Sequence, residues 1–243
     1  MRTVNVEPPA KIAVHDGLAY ALFLPAGEPR GGVVVLHGAG SQKESHYDYA
    51  RRLRAYGFAA VCFDQRGHGD SEGALDGGAA ADVAAMATLL PPGPVALRGS
   101  SMGGYLALVS AAAVGASAVV AICPAPADGL RRGVKAGRFE FRCDAPAFDA
   151  FLAGNDEIAA ARSLRCPLLL LHAEGDEIVP VELSREIASS APGSRFVEVP
   201  GGHHRSIQHD AEFQDLSVRF IASALRDPRD DSKRPAHGSH TRL

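Results

Sequence analysis

Over residues 31–226, short apolar runs bounded by glycine or proline alternate with segments of helical spacing, and this alternation constrains the fold more than any other feature. "GGVVVLHG" (31–38), "FAAVCFD" (58–64), "PVALRG" (94–99), "SAVVAIC" (117–123), "CPLLLLHAE" (166–174) and "SRFVEVP" (194–200) read as strands. Most are apolar without a period of two, as expected of strands buried on both faces. Between them lie predicted helices at 44–57, 77–90, 102–114, 181–191 and 206–226. The first has Tyr47, Ala50, Leu53 and Tyr56 on one face and Gly57 as its stop. Ahead of the series, "KIAVHDGLAYALFLP" (11–25) reads as two strands around an Asp16–Gly17 turn. The expected class is α/β: a mostly parallel central sheet with an N-terminal antiparallel hairpin and helices on both faces.

A chain of 243 residues with 46% hydrophobic content suits one such domain, expected over 1–226. Residues 124–165 separate two strands by more than a plain crossover requires. Their Phe139, Phe141, Phe148, Phe151 and Leu152 predict a small cap insertion over the strand ends. The polar, proline-punctuated segment 227–243 is expected to be a disordered tail, with His237 and His240 as loose tail residues rather than ligands. Net charge is −3, and "RRLR" (51–54) reads as a solvated helix face, so no nucleic-acid partner is expected. The uncharged stretch Gly99–Ala127 is rich in Ala, Gly and Ser and predicts a buried helix followed by a buried strand rather than membrane insertion. "MRTVNVEPPA" has no apolar core of a secretory signal, and Cys62, Cys123, Cys143 and Cys166 lack the spacing of a zinc or disulfide framework. A cytoplasmic location is expected, and the oligomeric state is left open.

The chemistry concentrates in "LRGSSMGGYLAL" (97–108), where G-x-S-x-G falls between a predicted strand and a predicted helix, the context of a nucleophile elbow. Gly99 and Gly103 flank Ser101 at two residues' distance, whereas Arg98 and Met102 flank Ser100, so Ser101 is the candidate nucleophile. A hydroxyl needs a base and donors for the developing oxyanion. The Met102 N–H is one donor. "LHGAGS" (36–41) supplies the second, the Ala39 N–H, while His37 is expected to order that loop. The acid should follow a later strand. "LLLLHAEGDEIVP" (168–180) offers Asp176, with Glu174 in reserve and Glu177 beside it, and Asp128 is a remote third. A histidine of "GGHHRS" (201–206) then completes the chain order serine, acid, histidine.

"VVVLHGAGSQKESHYDYARRLRAYGFAAVCFDQRGHGDSEG" (33–73), "LRGSSMGGYLAL" and "LLLLHAEGDEIVP" together resemble the α/β-hydrolase superfamily, in its serine aminopeptidase-like, monoglyceride-lipase-like and cinnamoyl-esterase-like branch. The resemblance runs from about residue 12 to 222. It implies an α/β-hydrolase fold and a Ser-His-Asp triad cleaving a small-molecule carboxylic ester through an acyl-enzyme, with no metal and no organic cofactor. In such proteins the base follows the last strand in segments similar to P-G-A-G-H or G-A-D-H-R. In register on Pro200 and Gly201 this implies His204, with His203 the alternative. Asp64, His68 and Asp70 of "FDQRGHGDSEG" (63–73) would order their loop. The short cap departs from members with long helical lids and favours small or partly exposed acyl esters. Thioesterase, amidase or peptidase, and acyltransferase activities use the same triad. A non-catalytic ligand-binding protein on this fold is the reading from another class.

Overall fold

A computed structural model describes residues 7–225. The expected tail, with His237 and His240, lies outside them. The elements are β1 (Lys11–His15), β2 (Leu18–Phe23), β3 (Gly32–Leu36), a 3-10 turn at Lys43–His46, α1 (Tyr47–Ala55), β4 (Ala59–Phe63), α2 (Ala79–Ala87), β5 (Val95–Ser100) and α3 (Met102–Val114). There follow β6 (Ala118–Ile122), α4 (Ala127–Lys135), α5 (Ala145–Gly154), α6 (Glu157–Ser163), β7 (Leu168–Ala173), α7 (Val181–Ser190), β8 (Arg195–Val199) and α8 (Ala211–Ala224). The eight strands form one sheet in the order β1-β2-β4-β3-β5-β6-β7-β8. β1 and β2 pair antiparallel, as do β2 and β4, and the remaining pairs are parallel.

Asp16 (φ 50°) and Gly17 (φ 77°) both adopt positive φ at the hairpin, the backbone twist that a two-residue turn demands. Every residue of β3, β4, β6 and β7 is buried, which explains sequences that are apolar throughout but for His172. The sheet separates two cores. On one face Val34, Leu97, Leu170 and Phe148 pack with α2, α3, α6 and α7. On the other Val35, Val120, Leu171, Leu53 and Ile221 pack with α1 and α8. Truncating such a leucine to alanine costs about 2–5 kcal/mol.

After β3 the chain pairs with β4 on one side, then returns to place β5 on the other. The carboxyl ends of β3 and β5 therefore diverge into loops at a switch point, where open α/β sheets leave a crevice. Segment 124–165 holds three helices. It is fastened to the loop after β4 by a bridge between Leu75 and Cys143, with Arg142 N donating to Gly67 O at 3.2 Å.

Two element boundaries differ from the sequence expectation. The helix expected over 206–226 begins only at Ala211. Asp210 caps it by accepting from the N–H groups of Glu212 and Phe213 at 2.8 and 3.2 Å, while Ser206 Oγ closes a separate turn with His203. The first helix opens as a 3-10 turn because Lys43 is drawn inward to Asp64, its N–H and Nζ donating to the two carboxylate oxygens at 2.7 and 2.8 Å.

Candidate active site

Ser101 stands where β5 turns into α3, with φ 54° and ψ −121°. That left-handed backbone is unfavourable for a residue with a Cβ and persists because its surroundings over-determine it. Its N–H donates to Ile122 O at 2.9 Å, and its carbonyl accepts from Tyr105 N and Ala125 N. The flanking glycines are required by close approach. A Cβ on Gly99 would strike the backbone of Gly103, and one on Gly103 would lie 2.6 Å from His37 O. Met102, the first residue of α3, carries an N–H without an intrahelical acceptor.

The 37–42 loop lies against this elbow. A Cβ on Gly38 would come within 3.3 Å of Ser101 Cβ, and Ala39 borders the same hollows as Ser101. His37 is fully buried. Its Nε2 accepts from Gln65 N at 3.0 Å and its ring Nδ1 bonds Gly38 O at 2.8 Å. Burial, with repulsion from His68, lowers its pKa to about 4, so it is a neutral structural imidazole at pH 7. Below it, the buried Lys43 Nζ donates to Asp64 and Asp70, and Asp70 N donates to Asp64 Oδ2 at 2.9 Å. His68 stacks on Phe141 of the cap at 4.1 Å between centroids. Asp64, His68 and Asp70 thus hold the loops around the elbow and the cap.

Asp176 and His204 come from the loops after β7 and β8. His204 Nδ1 lies 2.7 Å from Asp176 Oδ2, the aspartate side chain wholly buried and the histidine 10% exposed. Asp176 Oδ1 accepts from Ile178 N and Val179 N at 2.9 and 2.8 Å. Burial opposes ionisation of this carboxyl, but bonds from His172, His204, Val179 and Ile178 outweigh it and hold Asp176 well below the usual carboxylate range. An ionised Asp176 obliges His204 Nδ1 to carry the proton, which leaves Nε2 as a base. The two loops touch through backbone: Gly175 N donates to Gly201 O at 3.0 Å, and a Cβ on Gly175 would lie 2.5 Å from Gly202 O. Gly175 lies in the turn that Asp176 N closes on Ala173 O at 3.1 Å, and it also permits the close approach of the two loops.

Of the other acid candidates, Glu177 alone touches this pair. Glu174 is exposed, and Asp128 sits on α4 beside Arg131. Glu177 Oε2 accepts from His204 N at 3.2 Å. His203 is exposed and turns back on its own segment, its N–H donating to Ser206 Oγ and its Nδ1 accepting from Arg205 N.

The sequence reasoning missed two contributors. His172, fully buried on β7, lies 3.3 Å from Asp176 Oδ2, with Nδ1 2.7 Å from Ser184 Oγ and Nε2 3.0 Å from Val179 O. The lone polar residue in "LLLLHA" was its signal. Arg98, buried on β5 over the Tyr49 ring, donates to Gln208 O at 3.0 Å, and Ser100 Oγ donates to Gln208 Oε1 at 2.8 Å. Both tie the segment after His204 to the strand that carries Ser101. Among the described residues, one set of three possible metal donors falls within 4.8 Å, Cys123, Asp176 and His204. Burial pushes the Cys123 thiol up, whereas soft metals bind the thiolate, and the other two are committed to each other.

Over 65 residues the chain is 35% identical to the putative carbamate hydrolase RutD of Klebsiella pneumoniae, covering 27% of this chain and 24% of that protein. Over 183 residues it is 29% identical to the lysophosphatidylserine lipase ABHD12 of Danio rerio, covering 67% of this chain and 48% of that protein. The chain thus spans less than half the length of either of these two relatives. Its structure superposes on Est1E from Butyrivibrio proteoclasticus, solved with ferulic acid, with a TM-score of 0.73 at 18% identity, over 89% of this chain and 99% of that one. Among the described residues no helix is long and apolar enough to cross a membrane. The profile described as "Alpha/beta hydrolase family" matches residues 33–157, half of the chain, and the protein belongs to that family.

Proposed function

We propose that the protein is a serine hydrolase that cleaves small-molecule carboxylic esters through an acyl-enzyme. The observation that carries this reading is the Asp176–His204 pair, 2.7 Å apart, whose histidine borders the same hollow as a serine at φ 54°. Ser101 Oγ attacks the carbonyl carbon as His204 Nε2 takes its proton. The N–H groups of Met102 and Ala39 stabilise the oxyanion. Its collapse breaks the bond to the leaving oxygen, which takes the proton back from His204 and departs as the alcohol. Water, deprotonated by the same imidazole, then attacks the acyl-enzyme and releases the acid and free Ser101. Asp176 keeps the imidazole in the Nδ1–H tautomer and offsets its positive charge. His203 is the alternative base and Glu174 the alternative acid, and the cleavage requires no metal.

The lipase among the relatives fits ester cleavage. The carbamate hydrolase keeps open the same attack on a carbonyl with a nitrogen leaving group. A cytoplasmic setting goes with four free cysteines, and cell fractionation checks it. The decisive test measures p-nitrophenyl butanoate hydrolysis and fluorophosphonate labelling of the wild type and Ser101→Ala. Turnover and labelling should both vanish in the variant. A variant that still turns over the ester removes the assignment, and labelling without ester turnover transfers it to a thioester, amide or carbamate.

A further inference from the structure

Ser101 borders two hollows, of about 240 and 230 Å³. No aspartate or glutamate lines either, although the chain carries a net charge of −3. Arginines do. Arg132 and Arg138 line the hollow under the cap, and Arg205 lines the one beside His204. All three are exposed, and their guanidinium groups have no hydrogen bond or ion pair among the described residues. Neighbouring cations of the cap are partnered. Arg131 Nε donates to Asp149 Oδ1 at 2.9 Å, Lys135 Nζ lies 3.5 Å from the same oxygen, and Arg142 Nη2 donates to Ser71 O at 2.6 Å. Arg132 is one residue beyond Arg131 and so about 100° further round α4. A Cβ on Gly129, which lines the hollow, would lie 4.0 Å from Arg132 Nη2, so this guanidinium reaches back along the hollow's wall. The carboxyl end of α4 favours a cation at Arg132, but Arg138 and Arg205 lie on loops beyond that influence. Cations gathered without counter-charge repel one another, and an anion relieves that repulsion.

We propose that the substrate carries an anionic group, remote from the bond that is cleaved, which Arg132 and Arg138 hold at the wall of the cap hollow. This rests on the serine esterase reading above and narrows it to an amphipathic anionic ester. One end reaches Ser101, and the other is a carboxylate or a phosphate. Between them the chain runs past Phe139 and Ile178, which line the same hollow, the latter 64% exposed. A guanidinium suits this task because its planar fork offers paired donors to two oxygens. The anion stays away from the reacting carbon, so it is held alike in the ground state and the transition state. Its benefit therefore belongs in KM rather than kcat. Arg205 adds to the field that draws such an ester to Ser101, and salt weakens that field.

The test uses the intact protein and esters that differ in the charge at the far end: monoethyl suberate, ethyl 8-phosphonooctanoate, ethyl 8-hydroxyoctanoate and ethyl 8-aminooctanoate. At least one anionic ester should exceed the hydroxy ester about tenfold in kcat/KM, chiefly through KM, and the amino ester should be slowest. The faster of the two anions tells carboxylate from phosphate. 8-Acetoxyoctanoate against 8-acetoxyoctanol puts the same question with the anion on the alcohol half. Raising NaCl from about 10 mM to about 1 M, which shortens the screening length from about 30 Å to about 3 Å, should shrink the preference. The double variant Arg132→Gln/Arg138→Gln should abolish it, and Arg138→Glu should turn it toward the amino ester. Arg162→Gln, an exposed position lining neither hollow, should leave it as it was. No charge preference in either series, or one that survives the double variant, overturns the inference and leaves the esterase standing. If protein of wild-type thermal stability cleaves none of these esters nor p-nitrophenyl butanoate, the esterase reading falls and takes the inference with it.

Discussion

Ser101 owes its position to backbone: a strand, a turn at φ 54°, a helix, and two glycines, Gly99 pressed against the same segment and Gly103 against the carbonyls of Leu36 and His37. His204 owes its position to side chains from elsewhere: Asp176 on another loop, Glu177 at its N–H, and Ser100 with Arg98 gripping Gln208 beyond it. The proposed nucleophile is therefore shaped mainly by its own segment's backbone, and the proposed base by side chains from distant parts. Substitutions should expose that difference. On the nucleophile side they should act on folding and function together, whereas on the base side they should cost activity and leave the fold.

The largest effect should come from His204→Ala, a loss of about 10⁵–10⁶ in kcat with an unchanged unfolding curve. His203→Ala, whose ring serves only its own turn, should change kcat/KM by less than about threefold. The reverse pattern would make His203 the base. Asp176→Asn keeps the shape but removes the charge that sets the tautomer, and kcat should fall about 10⁴-fold. If it falls less than tenfold, with Glu174→Gln costing more, the acid has been misassigned. Gly103→Ala tests the other side. Its Cβ meets main-chain oxygen of the 37–42 loop, which cannot swing away, and urea denaturation should show a loss of about 3 kcal/mol. Wild-type stability there would mean that α3 can shift away from the 37–42 loop at no cost.

Acidification should separate the two sides in pH. His37 sits beside the nucleophile, neutral, with its pKa lowered to about 4 by burial and its neighbour His68. Between about pH 6.5 and pH 4 the unfolded chain binds a proton that the folded one refuses, so stability falls with pH, by up to about 3 kcal/mol from this residue. His46, also held neutral by burial, adds to the same fall. Asp176 has a depressed pKa, so its contribution is complete above about pH 3.9 and is lost only as pH drops further. His37→Gln should shrink the loss between pH 6.5 and 4 and leave the fall below pH 4 in place. An unchanged slope in the upper window would show that His37 is not neutral in the fold.

The same division explains what the sequence could disclose. Apolar runs announced the central parallel strands, because burial on both faces removes the polar alternation, while β8 at the sheet edge keeps Arg195 and Glu198. G-x-S-x-G between strand and helix marked the elbow because its determinants are adjacent in the chain. Contacts between distant segments left weaker traces. Nothing in "GGHHRS" records that Ser206 folds the His203 turn back on itself, so α8 was read as starting five residues early. Gly175 signalled special backbone, but one of its reasons, the approach of Gly202, belongs to another loop. His172 left a visible mark as a polar residue in an apolar strand, yet its bond to Asp176 depends on how the following loop closes. Arg98, flanking the motif, gave no sign of reaching Gln208, 110 residues along the chain.

The cap leaves the sheet from β6 and returns on β7, two strands already in parallel register from Val119 with Leu168 to Ile122 with Leu171. Its two ends are thus anchored in neighbouring slots of a finished framework, and its remaining fastening to the main body includes one bridge at Leu75. Changes of length in its connecting turns leave strand register untouched, whereas its Phe148 and Leu152 are bound into the core that backs α3, with Tyr105 of α3 donating to Asn155 O at 2.7 Å. The cap thus has turns that tolerate change and a few apolar side chains that do not, both within one insertion between adjacent strands.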